Sequence, residues 1–248
     1  MATRFHIGAK THQGGATPLA GTIENYAKRF DLLEVLAGAP TSPSGATMRK
    51  WRKAVPPHFD FTVVASPNLA RLKSSDGLEK ELSSARDAID ALQARCLLLP
   101  TPSEVTPSPL WRDRMGKLLD RLPRDATHVI WEPRGVWEIE DAAVAARRWG
   151  IILSVDAAKD PVPDGLVAYV RLRALGETRS FGPAALERVV NAIGMRRDAF
   201  VILETPGAQK EAAALRQTAQ RAARGDKGGM GRLVRPRAGM KVRDDEQE

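Results

Sequence analysis

Apolar residues gather along the chain in eight short runs: RFHIGA (4–9), LLEVLA (32–37), DFTVVA (60–65), RCLLLP (95–100), THVIWE (127–132), IILSVD (151–156), LVAYVRL (166–172) and FVILET (200–205). Their nearly continuous hydrophobicity is the pattern of parallel strands covered on both faces, whereas a half-exposed antiparallel sheet alternates more cleanly. The segments between them include helical patterns: TIENYAKRF, DGLEKELSSARDAIDALQAR, PLWRDRMGKLLDRL, IEDAAVAARRWG, GPAALERVVNAIG and GAQKEAAALRQTAQRAARG. In the second of these, Leu78, Leu82, Ala85, Ile89 and Leu92 form an apolar stripe at helical spacing, suited to covering a sheet. Pro183 near a helix start and glycines at several stops agree with the preferences of helix ends.

Repeated alternation of strand and helix, with eight strands in 248 residues, predicts an α/β fold of the (β/α)8 TIM-barrel type over residues 1–220. The length also permits an open doubly wound domain or two small domains. Two connections depart from short βα turns. ASPNLARLKSS follows the third run, and LLLPTPSEVTPSPLWRD carries four prolines from the end of the fourth. Both are expected to be structured loops, and proline stiffness suits them to a fixed rim.

Composition narrows the setting. The 43% hydrophobic content and 5% aromatic content suit an aliphatic core and weaken any base-stacking surface. Cys96 is the single cysteine, which rules out an intramolecular disulfide and a CxxC metal site and points to a buried thiol in a reducing cytosol. No apolar run approaches the ~20 residues that span a bilayer, and the start MATRFHIGAK lacks a signal-peptide core, so a cytoplasmic protein without membrane partners is expected. The net charge of +8 is uneven: residues 221–243 hold eight Lys or Arg against Asp226, and the last five residues hold four acids. Residues 221–248 therefore read as a flexible basic tail, solubilising or making nonspecific phosphate contacts.

Walker A, HExxH, GxSxG, EF-hand and GxGxxG patterns are all missing from the sequence, so neither a nucleotide cofactor nor a named reaction has support. The information lies at the ends of the strands. In a parallel α/β fold the carboxyl ends of strands converge on one pocket, and Glu132, Asp156, Arg171 and Glu204 fall there. Glu132 shares a strand face with Ile130 and His128, and Asp156 shares one with Ser154 and Ile152; parity alone does not choose the inside. Facing the mouth, Glu132 and Asp156 would share a proton, hold a divalent ion, or divide into base and electrostatic partner. Otherwise they form salt bridges with Arg134, Arg171 or Arg173.

Arg171 and Arg173 share a face and offer fixed donors to a carboxylate or phosphate. Glu34 sits in an apolar run, where an ionised carboxylate needs a partner, and Lys10 is placed to pair with it. His6 and His128 read as packed core groups, His58 as a loop residue, and His12 as a residue at the mouth without a second histidine to make a metal site. Trp131 and Trp137 flank EPRG and are the better candidates among the tryptophans for a pocket wall.

Over most of residues 4–220 these elements resemble the DUF72 (YecE-like) family. The resemblance is carried by IGAKT, Tyr26 and Phe30 before LLEV, Met48 and KWRKAVPPHFDFTVVAS, LLLPTPSE, WEPRGVW, the VD of ILSVDA, YVRL and TPGAQKEAAAL. It implies a TIM barrel to which no reaction is securely assigned, with family positions at Glu34, at Glu132 with Arg134 and Trp137, at Asp156, and at Tyr169 with Arg171. The sequence departs from the family where LAGAPTSPSGAT replaces a polar, aromatic NSTFYR-like segment, where RALG replaces a histidine after YVRL, and where TPGAQ replaces an asparagine-rich turn.

The expectation is thus a barrel acting on a small anionic or polyhydroxyl compound as a metal-assisted hydrolase or isomerase. Glu132, Asp156 and Glu34 are its acid–base set, and Arg134, Trp137, Arg171, Tyr169 and Lys10 its substrate contacts. Glu132 and Asp156 would hold a divalent metal. Two alternatives stand beside it: a noncatalytic barrel for an anionic ligand, and nucleic-acid binding through the tail.

Overall fold

The eight apolar runs form eight parallel strands: β1 (Arg4–Ala9), β2 (Leu32–Leu36), β3 (Asp60–Val64), β4 (Cys96–Thr101), β5 (His128–Pro133), β6 (Ile152–Val155), β7 (Val167–Leu172) and β8 (Asp198–Leu203). They pair in the order β1-β8-β7-β6-β5-β4-β3-β2, every pair parallel, so that the sheet curls until β1 and β2 meet. The helices are α1 (Ile23–Ala27), α2 (Gly45–Ala54), α3 (Pro67–Ala70), α4 (Leu78–Leu92), α5 (Pro109–Leu119), α6 (Ile139–Trp149), α7 (Pro183–Ile193) and α8 (Ala208–Ala223). The computed structural model describes residues 2–10, 22–72, 77–124, 126–173 and 180–225. His12 and residues 226–248 of the expected tail lie outside these residues, whereas residues 221–223 form the last turn of α8.

Two helices are absent from the helical patterns of the sequence, α2 and the single turn α3, which lies in the stretch expected as a loop. The stretch GATMRKWRKA forms α2, capped by Ser44, whose side chain accepts a hydrogen bond from the Thr47 N–H. Its apolar signal is thin because Met48 is its one fully buried residue. Between β6 and β7, where the sequence has no helical pattern, no helix forms. Residues 156–166 turn at Asp156, whose carbonyl accepts the N–H groups of Lys159 and Asp160, and run directly to β7. The barrel thus has a helix-free gap on the outside of the β6–β7 connection.

Alternation along each strand separates two cores. Outward residues such as Leu33, Val63, Leu97, Trp131, Leu153 and Val201 pack under the helices, including the α4 stripe of Leu82, Ala85, Ile89 and Leu92. Trp131 meets Trp137 and Trp149 edge to face there, so it packs between sheet and helices and forms no pocket wall. Inward residues Leu32, Cys96, Leu98, Ile130, Tyr169 and Phe200 fill the waist of the barrel. Each buried aliphatic or aromatic side chain contributes roughly 1.5–3 kcal/mol, which makes the two layers the main source of stability. Burial pushes the Cys96 thiol up, so it packs as a small apolar group.

Below the waist, the amino-terminal end of the barrel is closed by charges. His6 is buried, as expected of a packed core group, and holds two partners. Its Nδ1 lies 2.5 Å from Asp60 Oδ2, and its Nε2 lies 3.1 Å from Asp198 Oδ1. Arg95 reaches Asp60 and Asp198 at 3.2 and 3.0 Å, and Arg4 reaches Asp198 at 3.0 Å. Burial alone would raise the Asp198 carboxyl; hydrogen bonds from His6, Arg197 and Arg4 with the charge of Arg95 hold it well below the usual carboxylate range. Charge at this end of a barrel reads as stability.

The β1–β2 seam closes differently from the other strand pairs. Asp31 N–H donates to the Ile7 carbonyl at 2.8 Å, and the Tyr26 hydroxyl spans the gap by accepting from Ala9 N–H at 3.0 Å and donating to the Leu32 carbonyl at 2.9 Å. A Cβ on Gly8 would stand 2.4 Å from the Leu32 carbonyl oxygen, so only glycine allows this approach. Replacing Tyr26 by Phe leaves both backbone groups without their partner and is expected to lower the unfolding free energy by ~1–3 kcal/mol. Urea denaturation of Tyr26→Phe measures it, and an unchanged midpoint would mean that the hydroxyl does not hold the seam.

Candidate functional site

The carboxyl ends of the strands converge on Arg171. Its position on β7 is inward, two residues beyond Tyr169, and only 5% of the residue is exposed. The guanidinium donates through Nη2 to Glu34 Oε1 and through Nη1 to Glu204 Oε1 at 2.6 Å, and its Nε lies 3.2 Å from Glu132 Oε2. Tyr169 donates its hydroxyl to the same Glu34 oxygen at 2.6 Å. Two further cations complete the cage. Arg173 bonds Glu132 and lies 3.3 Å from Glu204, and Lys10 lies 2.8 Å from Glu204. Three carboxylates therefore face three cations, Lys10, Arg171 and Arg173, and their formal charges cancel.

This geometry decides the parity that the sequence left open, for Glu34, Glu132, Tyr169 and Arg171 all point inward. Lys10 pairs with Glu204, a residue of the cluster, and not with Glu34 as the sequence suggested. Burial opposes the charge of Arg171, but Glu34, Glu132 and Glu204 outweigh it and keep the guanidinium protonated. Burial and the Glu34 charge raise the Tyr169 phenol, which keeps it a neutral donor. Against burial, the Lys10 hydrogen bond and the arginines Arg171 and Arg173 pull Glu204 down to about 2.

Beside this cage a cavity of about 340 Å³ opens among β5, β6 and the start of α6. It lies at the strand ends next to the helix-free β6–β7 connection, which supplies Asp160 to its wall. Glu132, Asp156, Arg171 and Arg173 reach it from the strand ends, and Trp137 and Glu138 from the start of α6. Asp156 is 6% exposed; its Oδ1 accepts the Ala158 N–H at 3.1 Å, and its Oδ2 accepts the Arg173 N–H at 3.4 Å. Glu138 and Asp160 carried no periodic signal, since they sit at a helix cap and in a loop.

The two motifs around the wall explain each other. Arg134 N–H bonds the Thr101 carbonyl, the Trp137 indole N–H donates to the Val105 carbonyl at 2.6 Å, and Arg112 lies 5.0 Å from the Trp137 ring centre. Gly135 has φ +89°, and a Cβ there would stand 2.9 Å from Ser103 Cα. WEPRGVW and LLLPTPSE thus form one packed rim, which fixes Trp137 at the cavity wall. The Arg134 side chain, expected as a substrate contact, is exposed and does not line the cavity.

The expected metal fits these residues poorly. Both Glu132 oxygens face guanidinium groups, the Asp156 oxygens face backbone N–H groups, and Lys159 lies 3.6 Å from Asp156. Among the described residues, no three His, Cys, Asp or Glu side chains are grouped to hold an ion. Arg171 takes the central place among the glutamates.

Replacing Arg171 by Met takes a shared cationic partner from Glu34, Glu132 and Glu204 and is expected to cost ~3–5 kcal/mol of stability in denaturant unfolding. Glu204 gives a pH signature. Its folded value lies below the ordinary 4.5, so its contribution is present above that pH and is lost as pH falls toward about 2. Glu204→Gln should flatten the fall of stability across this window; an unchanged slope would show that the ion pairs with Lys10 and Arg171 contribute nothing.

Known structures share the architecture. A DUF72 family protein from Thermotoga maritima is 17% identical, with 89% of this chain and 99% of that chain covered at a TM-score of 0.64. A DUF72 family protein from Enterococcus faecalis is 13% identical, with 89% and 96% covered at a TM-score of 0.67. An L-ribulose 3-epimerase, 15% identical, has 90% and 97% covered at a TM-score of 0.56. At these identities the likeness is one of fold. No curated protein matches the sequence. The family model described as "Protein of unknown function DUF72" matches residues 12–236, and the chain belongs to the DUF72 family.

Proposed function

We propose that this barrel binds a small polyhydroxyl compound without net negative charge at its carboxyl-terminal mouth and moves protons on it, as an isomerase or hydrolase does. The observation that carries the reading is the charge of the cavity wall: four carboxylates, Glu132, Glu138, Asp156 and Asp160, against two guanidinium groups, Arg171 and Arg173. A phosphate or carboxylate ligand meets this excess as repulsion, which favours the polyhydroxyl member of the two expected substrate classes. Hydroxyl groups both donate and accept, so they suit a wall of alternating acceptors and donors. Trp137 offers an apolar surface to the C–H face of such a ligand. The volume of about 340 Å³ lies within the ~300–1,000 Å³ range of small-molecule pockets.

For the chemistry, Glu132 and Asp156 are the two carboxylates at strand ends in the cavity, and a proton transfer needs such a group within hydrogen-bond reach of the carbon or oxygen concerned. Arg171 and Arg173 hold Glu132 in place, and the two N–H groups on Asp156 fix its carboxylate. No step is assigned to a metal, because these donors are already engaged. Among barrels of similar fold are proteins named L-ribulose 3-epimerase and xylose isomerase domain protein; they agree with a polyhydroxyl ligand in name, while the wall carries the argument.

Thermal-shift and calorimetric titration with free pentoses and hexoses beside their phosphates tests the reading. Neutral sugars are expected to bind more tightly than the matching phosphates, with affinity lowered about tenfold or more in Asp156→Asn, a loss on the scale of a charged hydrogen bond. Tighter binding of the phosphates would sink it. Proton transfer is read by NMR in D2O as deuterium entering the carbon next to a carbonyl; binding without exchange or cleavage would make this a binding protein.

A further inference from the structure

Ser154 on β6 is a polar residue whose side chain the structure leaves unused. It is 8% exposed, and its Oγ has no hydrogen-bond partner among the described residues. Two other buried polar atoms without a hydrogen bond have neighbours that account for them: Arg171 Nε faces Glu132 at 3.2 Å, and the Thr62 hydroxyl lies beside the Cys96 thiol. Buried hydroxyls are nearly always paired, so a native chain that keeps one unpaired invites a partner outside the fold.

Register shows where that partner stands. Ile130 pairs with Ile152, which sets Ser154 level with Glu132, and Ser154 itself pairs with Tyr169. Two residues further on, Asp156 lies on the same face as Ser154. Glu132, Ser154 and Asp156 all line the cavity, making a strip in which a hydroxyl stands between two carboxylates.

We propose that Ser154 Oγ hydrogen-bonds one hydroxyl of the polyhydroxyl ligand and so sets which ligand hydroxyl the site requires. This rests on the polyhydroxyl reading of the cavity. A site built to bond a hydroxyl discriminates against the analogue that lacks it, because its own polar group is then left buried and unpaired. Ser154 is thus a specificity residue, not a proton carrier, since the carboxylates beside it serve that role.

The test uses Ser154→Ala in the full chain, titrated with free pentoses and hexoses, D-ribose and 2-deoxy-D-ribose among them. The folded protein loses no hydrogen bond, so its urea midpoint should stay unchanged or rise, whereas affinity for the sugar bound by the wild type should fall about tenfold. The variant should also lose preference between that sugar and one of its monodeoxy forms. A sugar bound equally by wild type and Ser154→Ala would overturn the role of Ser154 while leaving the polyhydroxyl reading intact. If the wild type binds none of these sugars, that reading fails and takes the assignment of Ser154 with it. A clear loss of stability in Ser154→Ala would show that the hydroxyl serves the fold and would also overturn the proposal.

Discussion

The buried guanidinium of Arg171 is the point through which the carboxyl-terminal half of the barrel is organised. Glu34 from β2, Glu132 from β5 and Glu204 at the end of β8 all turn toward it, and each would lose a cationic partner inside the barrel without it. A closed barrel makes this necessary. Inward side chains at the strand ends have few neighbours besides one another, so a polar group placed there finds its partner on another strand or stays unsatisfied. Tyr169 adds a neutral donor just below, joining the cage to the apolar waist.

The two ends of the interior are both charged but are built for different ends. At the amino-terminal end, His6, Asp60, Asp198, Arg4 and Arg95 pair into a plug with Phe200 stacked against His6. At the carboxyl end the pairing is just as full in the Arg171 cage, yet a cavity opens beside it at the β5 and β6 ends. There the chain runs from β6 to β7 without a helix, and its turn contributes Asp160 to the wall. Charge pairing therefore closes one end and, at the other, holds acidic groups in fixed positions around open space.

Family motifs gain a physical meaning in this frame. Tyr26 is the bridge across the β1–β2 seam, Gly135 permits the close contact with Ser103, and Trp137 is pinned by the Val105 carbonyl. The LLEV, WEPRGVW and YVRL motifs deliver Glu34, Glu132 and Arg171 to one cluster, while Arg134 stays at the surface. Much of what the motifs build is the placement of strands and rim, and of the charged strand ends they supply, Glu132 and Arg171 line the cavity.

The sequence by itself determined the eight strands, the α4 stripe and the parallel architecture, because hydrophobic periodicity is a local property that survives without knowledge of contacts. It also placed Glu132, Asp156, Arg171 and Glu204 at strand ends, since chain position and strand end coincide in this fold. Helix α2 escaped it because Met48 alone is fully buried there, and periodicity needs several buried positions to be seen. Only the tertiary structure decided which face of each strand turned inward, that Lys10 meets Glu204, that Arg171 takes the centre of the glutamates, and that Ser154 Oγ has no hydrogen-bond partner among the described residues. Those outcomes depend on register between strands far apart in sequence. A shift of one residue in any strand exchanges its inner and outer faces, and no local pattern in a strand buried on both sides records which way it went.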